Sequence, residues 1–302
     1  MNRVLTLLYH RINNLEYDKN LLSVTPDNFY EQMSYIKKHY PIVRFEQDWN
    51  NLDNDAVCIT FDDGYMDNIT KALPILQELD IPATIFVATA NINTCEEFWW
   101  DELERLVLDR QQSYPKEFVL EDDVFACQWP TETFQQREEL YGTLHWLMYN
   151  KINVKKREDW IGQLRKWRQV GIEGRKQNFG LQMSELSKDI SLLTIGAHTV
   201  NHPSLKNLSY QNQYYEISQS IKHLESLFKR EIEVFSYPFG SKEDFDEVAI
   251  EICQEQKIRK SAANIPGIWN PRCDEYRIPR NIVRNWEIKE YIQKIEDFWK
   301  LE

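Results

Sequence analysis

Two acidic side chains stand side by side in the stretch TFDDG, as Asp62 and Asp63, between an apolar run and Gly64. Like charges repel, and a turn needs a single Asp. The pair is therefore either a solvated turn or a site where a partner changes what one acid can do. Far downstream, GAHTVNHPSL carries His198 and His202, four residues apart and again just beyond an apolar run. If this stretch starts a helix, both imidazoles share one face. The chain has only 6 His. Two of them here, with one Asp, make a three-ligand set that leaves positions for water and a substrate oxygen. Zinc suits such a set, and cobalt, nickel, iron or manganese would also be accepted by it.

The elements around these residues alternate. Apolar runs at 4–9, 56–61, 83–89 and 192–197 read as buried strands, as does IEVFSYP, followed by IRKSAA and RIPRNIV. Between them lie helical patterns. Phe29, Met33 and Ile36 form one stripe behind Pro26; Tyr210, Tyr214, Ile217, Ile221, Leu224 and Phe228 form another behind Ser209, a good N-cap. NITKALPILQEL reads as a helix in spite of Pro74, and a last helix carries Ile288, Tyr291, Ile292, Ile295 and Trp299. Repeated strand–helix units predict a parallel sheet, open or closed into a barrel. Both acidic and histidine motifs then sit at C-terminal strand ends, where such proteins build their sites. Adjacent residues leaving a strand point opposite ways, so one Asp can reach a metal while its neighbour faces a water.

Residues from about 91 to 180 break the alternation. They read as a mostly helical insertion, with helices near 96–110, 131–150 and 154–170, inside a single domain spanning 1–302. Trp99, Trp100, Trp129, Trp146, Trp160 and Trp167 fall in this stretch. They make either a small core of their own or a lid that also stacks on a sugar.

Composition narrows the function classes. The chain of 302 residues has a formal charge of −12, which excludes nucleic acid as an expected partner. The 5 Cys are scattered without a CxxC, as in a reducing cytoplasm. No stretch resembles a signal peptide or a membrane span, so the expected location is cytoplasmic.

TFDDG followed by H-T-x-x-H-P resembles the polysaccharide deacetylase family, the NodB homology domain of carbohydrate esterase family four. FSYPFG is similar to a third family motif, with Pro238, Phe239 and Gly240 in register, and LYHRI and FWWDELERL are similar to one branch of the family. The resemblance covers nearly the whole chain apart from much of the insertion. It implies a deformed (β/α) barrel and a carbohydrate N-deacetylase. It implies Asp63, His198 and His202 as ligands of one divalent metal, Asp62 as general base and the backbone N–H of Phe239 as oxyanion donor. Two departures stand out. Ser236 occupies the place of the family's base-tethering Arg, and Arg280 could substitute from a neighbouring strand. The family's late His, its catalytic acid, is absent. His10, following the first strand, is the alternative acid or else a hydrogen-bonded structural residue. The expected substrate is a soluble, nucleotide-linked or lipid-linked amino sugar in surface-polysaccharide assembly. Alternatives are hydrolysis of another C–N bond, a formamide or cyclic amide, and an inactive sugar-binding relative.

Overall fold

The computed structural model describes residues 2–123, 127–186 and 189–301. The chain divides into two compact units, Met1–Ile92 with Leu181–Glu302, and Asn93–Gly180.

The first unit is built on strands β1 (Val4–Tyr9), β4 (Ala56–Phe61), β5 (Ala83–Val87), β8 (Leu193–Ala197), β9 (Val234–Ser236), β10 (Lys260–Ala262) and β11 (Asn281–Ile282). They form one sheet in the order β10-β9-β8-β5-β4-β1-β11, and each neighbouring pair is parallel. A parallel bridge between Ala262 and Ile278 ties the segment entering β11 to β10, the opposite edge. The sheet therefore curls into a barrel-like wall, the deformed (β/α) barrel that the family resemblance implied; the alternation alone leaves the parallel sheet open or closed. A short parallel pair, β2 (Arg11–Ile12) and β3 (Ser23–Val24), follows β1.

Side chains alternate across this wall. Val4, Cys58, Phe86, Val234, Ala262 and Ile278 belong to an inner cluster with Trp49 and Trp269. Leu5, Leu7, Ile59, Phe61, Ile85, Ile195 and Phe235 belong to the larger core outside it. That outer core is covered by helices α1 (Pro26–His39), α6 (Tyr210–Phe228), α7 (Glu247–Glu255) and α8 (Ile288–Phe298). Gly196 of β8 lies on the inner row, where an added Cβ would overlap the Phe86 ring. Only glycine lets the two strands keep that contact.

Local signals set the helix ends. Thr25 accepts from the Asn28 N–H and Pro26 occupies the first turn of α1; Ser209 caps α6 through the Asn212 N–H. The stretch read as one helix around Pro74 is split. Residues Asn68–Ala72 form a π-helical turn, and α2 (Leu73–Glu78) starts afresh with Pro74 in its first turn. Proline lacks the N–H a continuous helix needs there, and a first turn does not use it.

The second unit has helices α3 (Trp99–Leu108), α4 (Phe134–Asn150) and α5 (Val154–Arg168), with an antiparallel pair, β6 (Glu117–Leu120) and β7 (Cys127–Pro130). Trp99, Trp100 and Trp160 are buried, whereas Trp146 is exposed. Its buried carboxylates are paired: Glu97 with Arg105 and Arg175, and Glu102 with Arg105 and Arg165.

Candidate active site

The period-2 rows of the barrel wall end on the polar residues. In β4 the inner row runs Ala56, Cys58, Thr60 and so on to Asp62. In β1 it runs from Val4 to His10, in β8 from Thr194 through Gly196 to His198, and in β9 from Val234 to Ser236. Tyr9 lies opposite Phe61 in the ladder, and the Asp62 N–H donates to the Tyr9 carbonyl at 3.0 Å. His10 therefore stands level with Asp62 one strand away.

Asp62 is clamped. Arg280 Nη1 donates to its Oδ1 at 2.7 Å and Nη2 to its Oδ2 at 2.7 Å, the two-pronged fit of a guanidinium to a carboxylate. Ser236 Oγ donates to Oδ2 at 3.2 Å and itself accepts from Arg280 Nη2 at 2.8 Å. Arg280 is anchored in turn by the Ala263 carbonyl, which accepts from Nε at 3.0 Å. Arg280 is fully buried and Asp62 nearly so. Burial alone would push the Asp62 carboxyl up. The Arg280 charge overrides it, helped by His198, and holds the group well below the usual carboxylate range. Asp62 is thus an ionised carboxylate held in one orientation. Ser236 joins the clamp as a hydrogen-bonding partner of both groups.

Asp63, His198 and His202 converge, with one ligand atom from each lying within 4.8 Å of the others. His198 Nε2 is 3.6 Å and His202 Nε2 3.4 Å from Asp63 Oδ1. His198 Nδ1 lies 2.7 Å from the Ser236 carbonyl, which can only accept, so Nδ1 carries the proton. In the neutral ring the Nε2 lone pair then faces Asp63 and, at 3.8 Å, Asp62. Burial pushes the His198 pKa down, which opposes relieving that repulsion by a proton. A cation relieves it. Two atoms each bonded to one metal at about 2.1 Å in tetrahedral geometry lie about 3.4 Å apart, close to the 3.4 and 3.6 Å seen here. The donor set and its spacing fit a divalent metal, and the Ser236 carbonyl is the outer partner that such a histidine ligand requires.

The loop carrying the histidines differs from the expected helix start. Residues 198–202 are irregular, with Thr199 at φ 65° and His202 at φ 53°. Pro203 follows, and a residue before proline is turned away from the right-handed helical region. The two rings still meet, with centroids 4.8 Å apart, because the turn rather than a helical pitch brings them together. Asp63 (φ 72°) and Phe239 (φ 59°) share the left-handed backbone. Such conformations cost non-glycine residues roughly 1–3 kcal/mol each and gather where surrounding contacts over-determine them. One of those contacts was not foreseen. The buried Glu216 of α6 accepts from the Val200 N–H at 2.9 Å, the Asn201 N–H at 2.8 Å and Asn201 Nδ2 at 2.7 Å. The signal in the sequence is an acid set beside Ile217 on the apolar stripe of an otherwise ordinary amphipathic helix.

His10 is half-buried, and burial pushes its pKa down to about 4 against an opposing pull from Asp62; Arg280 and Arg284 add to the fall. It is neutral near pH 7. Phe239 lies beside the triad, its ring 4.7 Å from that of His202. The exposed His223 lies at the surface of α6.

The family model for polysaccharide deacetylases matches residues 50–112 and 183–260 of the chain. No curated protein matches it. Among solved structures, a polysaccharide deacetylase from Bacillus cereus is 18% identical with a TM-score of 0.60, covering 97% of this chain and 69% of its own. A Streptococcus pyogenes deacetylase in complex with acetate is 19% identical with a TM-score of 0.57, covering 96% and 97%. A de-N-acetylase from Aggregatibacter actinomycetemcomitans is 15% identical with a TM-score of 0.58, covering 97% and 99%. At these identities the structural likeness is one of fold.

Proposed function

From the match of residues 50–112 and 183–260 to the polysaccharide deacetylase family model, we propose that the chain is a metal-dependent hydrolase removing an N-acetyl group from an amino sugar. The observation that carries this reading is the fully buried Arg280 gripping Asp62 beside the Asp63, His198 and His202 cluster. An acid held ionised next to a metal-binding set is what activation of water requires.

A divalent ion held by Asp63, His198 and His202, zinc first among the candidates, would supply Lewis acidity for the water and the amide carbonyl. Asp62 takes the proton of the attacking water as its oxygen bonds to the acyl carbon. The Phe239 N–H is assigned to the tetrahedral oxyanion. The C–N bond then breaks, giving acetate and a free amine. His10 is assigned as the group that delivers the proton to that amine. Its resting state is neutral, so the proton must arrive within the cycle. Asp62 is far less basic than His10, so a proton taken from water passes from the first to the second. The same Arg280 clamp argues against a binding-only relative, whose Asp62 would need no such tether. The acetate in the Streptococcus pyogenes neighbour is the acid that such a reaction releases. We place the substrate among soluble, nucleotide-linked or lipid-linked amino sugars of surface-polysaccharide assembly. Residues 1–302 act as one catalytic domain, with about 91–180 as a helical, Trp-rich insertion.

The test is product identity. Zinc- or cobalt-loaded protein is incubated with a panel of N-acetyl, N-formyl and cyclic amide substrates. Acetate together with a primary amine on the sugar is the expected result. Formate or a ring-opened product instead would move the activity to another C–N bond, and no product from any N-acetyl sugar would overturn the proposal.

A further inference from the structure

His10, the group assigned to deliver a proton to the amine, is not held by its own ring. Among the described residues the imidazole makes no hydrogen bond. Its placement comes from the backbone that carries it, and that backbone leaves β1 just where the ladder with β4 ends.

Two neighbouring side chains take hold of this backbone. Asn68 Nδ2 donates to the His10 carbonyl at 2.8 Å. The next three residues all donate to the Asp67 carboxylate: Arg11 Nε to Oδ2 at 3.0 Å, the Ile12 N–H to Oδ1 at 3.1 Å and Asn13 Nδ2 to Oδ2 at 3.3 Å. Each of these partners is a donor, so Asp67 serves as an acceptor only, the role of a carboxylate. Burial pushes its pKa up, and the Arg11 guanidinium pulls it back. Arg11 and Asp67 are both buried, and Arg11 also lies over the Tyr65 ring, 4.2 Å from its centroid.

Where these two side chains come from gives them a use. Asp67 and Asn68 lie five and six residues beyond Asp62, on the segment that leaves β4 with both reacting carboxylates. Asn68 opens the π-helical turn Asn68–Ala72, and Asp67 caps it. A π turn is wider than an α turn, and such turns gather at functional sites. The segment after β4 and the segment after β1 are thus tied together beyond the last rung of the sheet. One carries Asp62 and the other carries His10.

We propose that Asp67 and Asn68 are positioning residues for the proton hand-off, fixing the His10 ring relative to Asp62 by holding the backbone on which it stands. The proposal rests on the deacetylase reading above. In that reaction Asp62 takes a proton from water, and His10 passes it to the nitrogen as the C–N bond breaks. An amine anion is far too basic to leave, so the bond breaks only as the nitrogen gains its proton. The step therefore depends on where His10 stands, and a misplacement of about 1 Å costs about 10²-fold. A network that only stabilised the fold would affect every substrate alike.

The experiment compares two acetyl donors in zinc-loaded protein, with rates taken per bound zinc. One is an N-acetyl amino sugar. The other is 4-nitrophenyl acetate, whose phenolate leaves without a proton. Asn68→Leu removes the bond to the His10 carbonyl and keeps the branched shape of the side chain; Asn68→Ala removes it with less bulk and serves if the larger side chain does not fold. The expected kcat for the sugar is lower by about 10- to 100-fold, with KM and zinc affinity unchanged and ester hydrolysis within about twofold of wild type. Asp67→Asn and His10→Gln should show the same split. Adding Asn68→Leu to His10→Gln should cost nothing further, because a residue that acts through His10 has no effect once His10 is gone. Equal losses on sugar and ester, additive losses in the double variant, or a sugar rate untouched by Asn68→Leu overturns the positioning role and leaves the deacetylase reading standing. Wild-type protein that releases no acetate from any N-acetyl sugar overturns both.

Discussion

At the scale of single residues, the adjacency of Asp62 and Asp63 resolves into two environments. Asp62 ends an inner row and meets Arg280 and Ser236, while Asp63, at φ 72°, turns to the histidines. Replacing Arg280 by Met would leave a buried, unpaired carboxylate, and losing one partner of such a pair costs about 3–5 kcal/mol. The acidic limb of the pH–rate profile should also move to higher pH, because the charge holding Asp62 down is gone. Urea denaturation and a pH series measure the two effects; an unmoved limb would detach Asp62 from proton transfer. His10 makes a second prediction. Its folded pKa of about 4 lies below the ordinary 6.5. The stability it contributes is therefore fully present above pH 6.5 and is lost as pH falls through 4. In metal-free protein, His10→Gln should flatten the decline in unfolding free energy across that window. Superimposable curves would show that His10 is not desolvated.

At the scale of elements, the alternation of strands and helices was legible because the strands are continuous apolar runs, buried on both faces, set between helix-period stripes. His10, Asp62 and His198 each sit one step past a buried strand, and the register of β1 against β4 makes the first two level. The His198–His202 spacing was legible, but its helical explanation was not sound: Pro203 and the left-handed Thr199 put a turn there. The π-helical turn before Pro74 had no signal beyond the proline itself. Ser236 looked like a loss in the sequence. In the structure its hydroxyl and carbonyl serve Asp62 and His198 respectively, a double use that no linear pattern encodes. Glu216 was invisible for a similar reason, since its partners lie on a loop about 15 residues away and its own helix looks complete without it. As a positioning residue behind the histidine turn, Glu216→Gln should weaken metal affinity about 10- to 100-fold, the usual effect of losing an outer partner. Competition with a chromogenic chelator measures this. A variant with reduced stability but unchanged affinity would make Glu216 purely structural.

At the scale of the whole molecule, the proposed metal would be a folding ligand as well as a cofactor, because unfolding scatters Asp63, His198 and His202 over a long stretch of chain. A ligand at 100 times its Kd adds about 2.7 kcal/mol, so chelation should lower Tm, and His202→Ala should abolish the difference between loaded and chelated protein. Calorimetry on both forms checks it. No helix of the described residues is long and apolar enough to cross a membrane, and the curled parallel sheet is the fold shared with the deacetylase neighbours. The central claim joins these scales: Asp62 is a base working beside a metal it does not hold. The most direct measurement compares wild type with Asp62→Asn for both bound zinc and acetate release from an N-acetyl amino sugar. The account predicts equal zinc content and a rate lower by about 10²–10⁴-fold. An Asp62→Asn protein that keeps its zinc and its rate would contradict it.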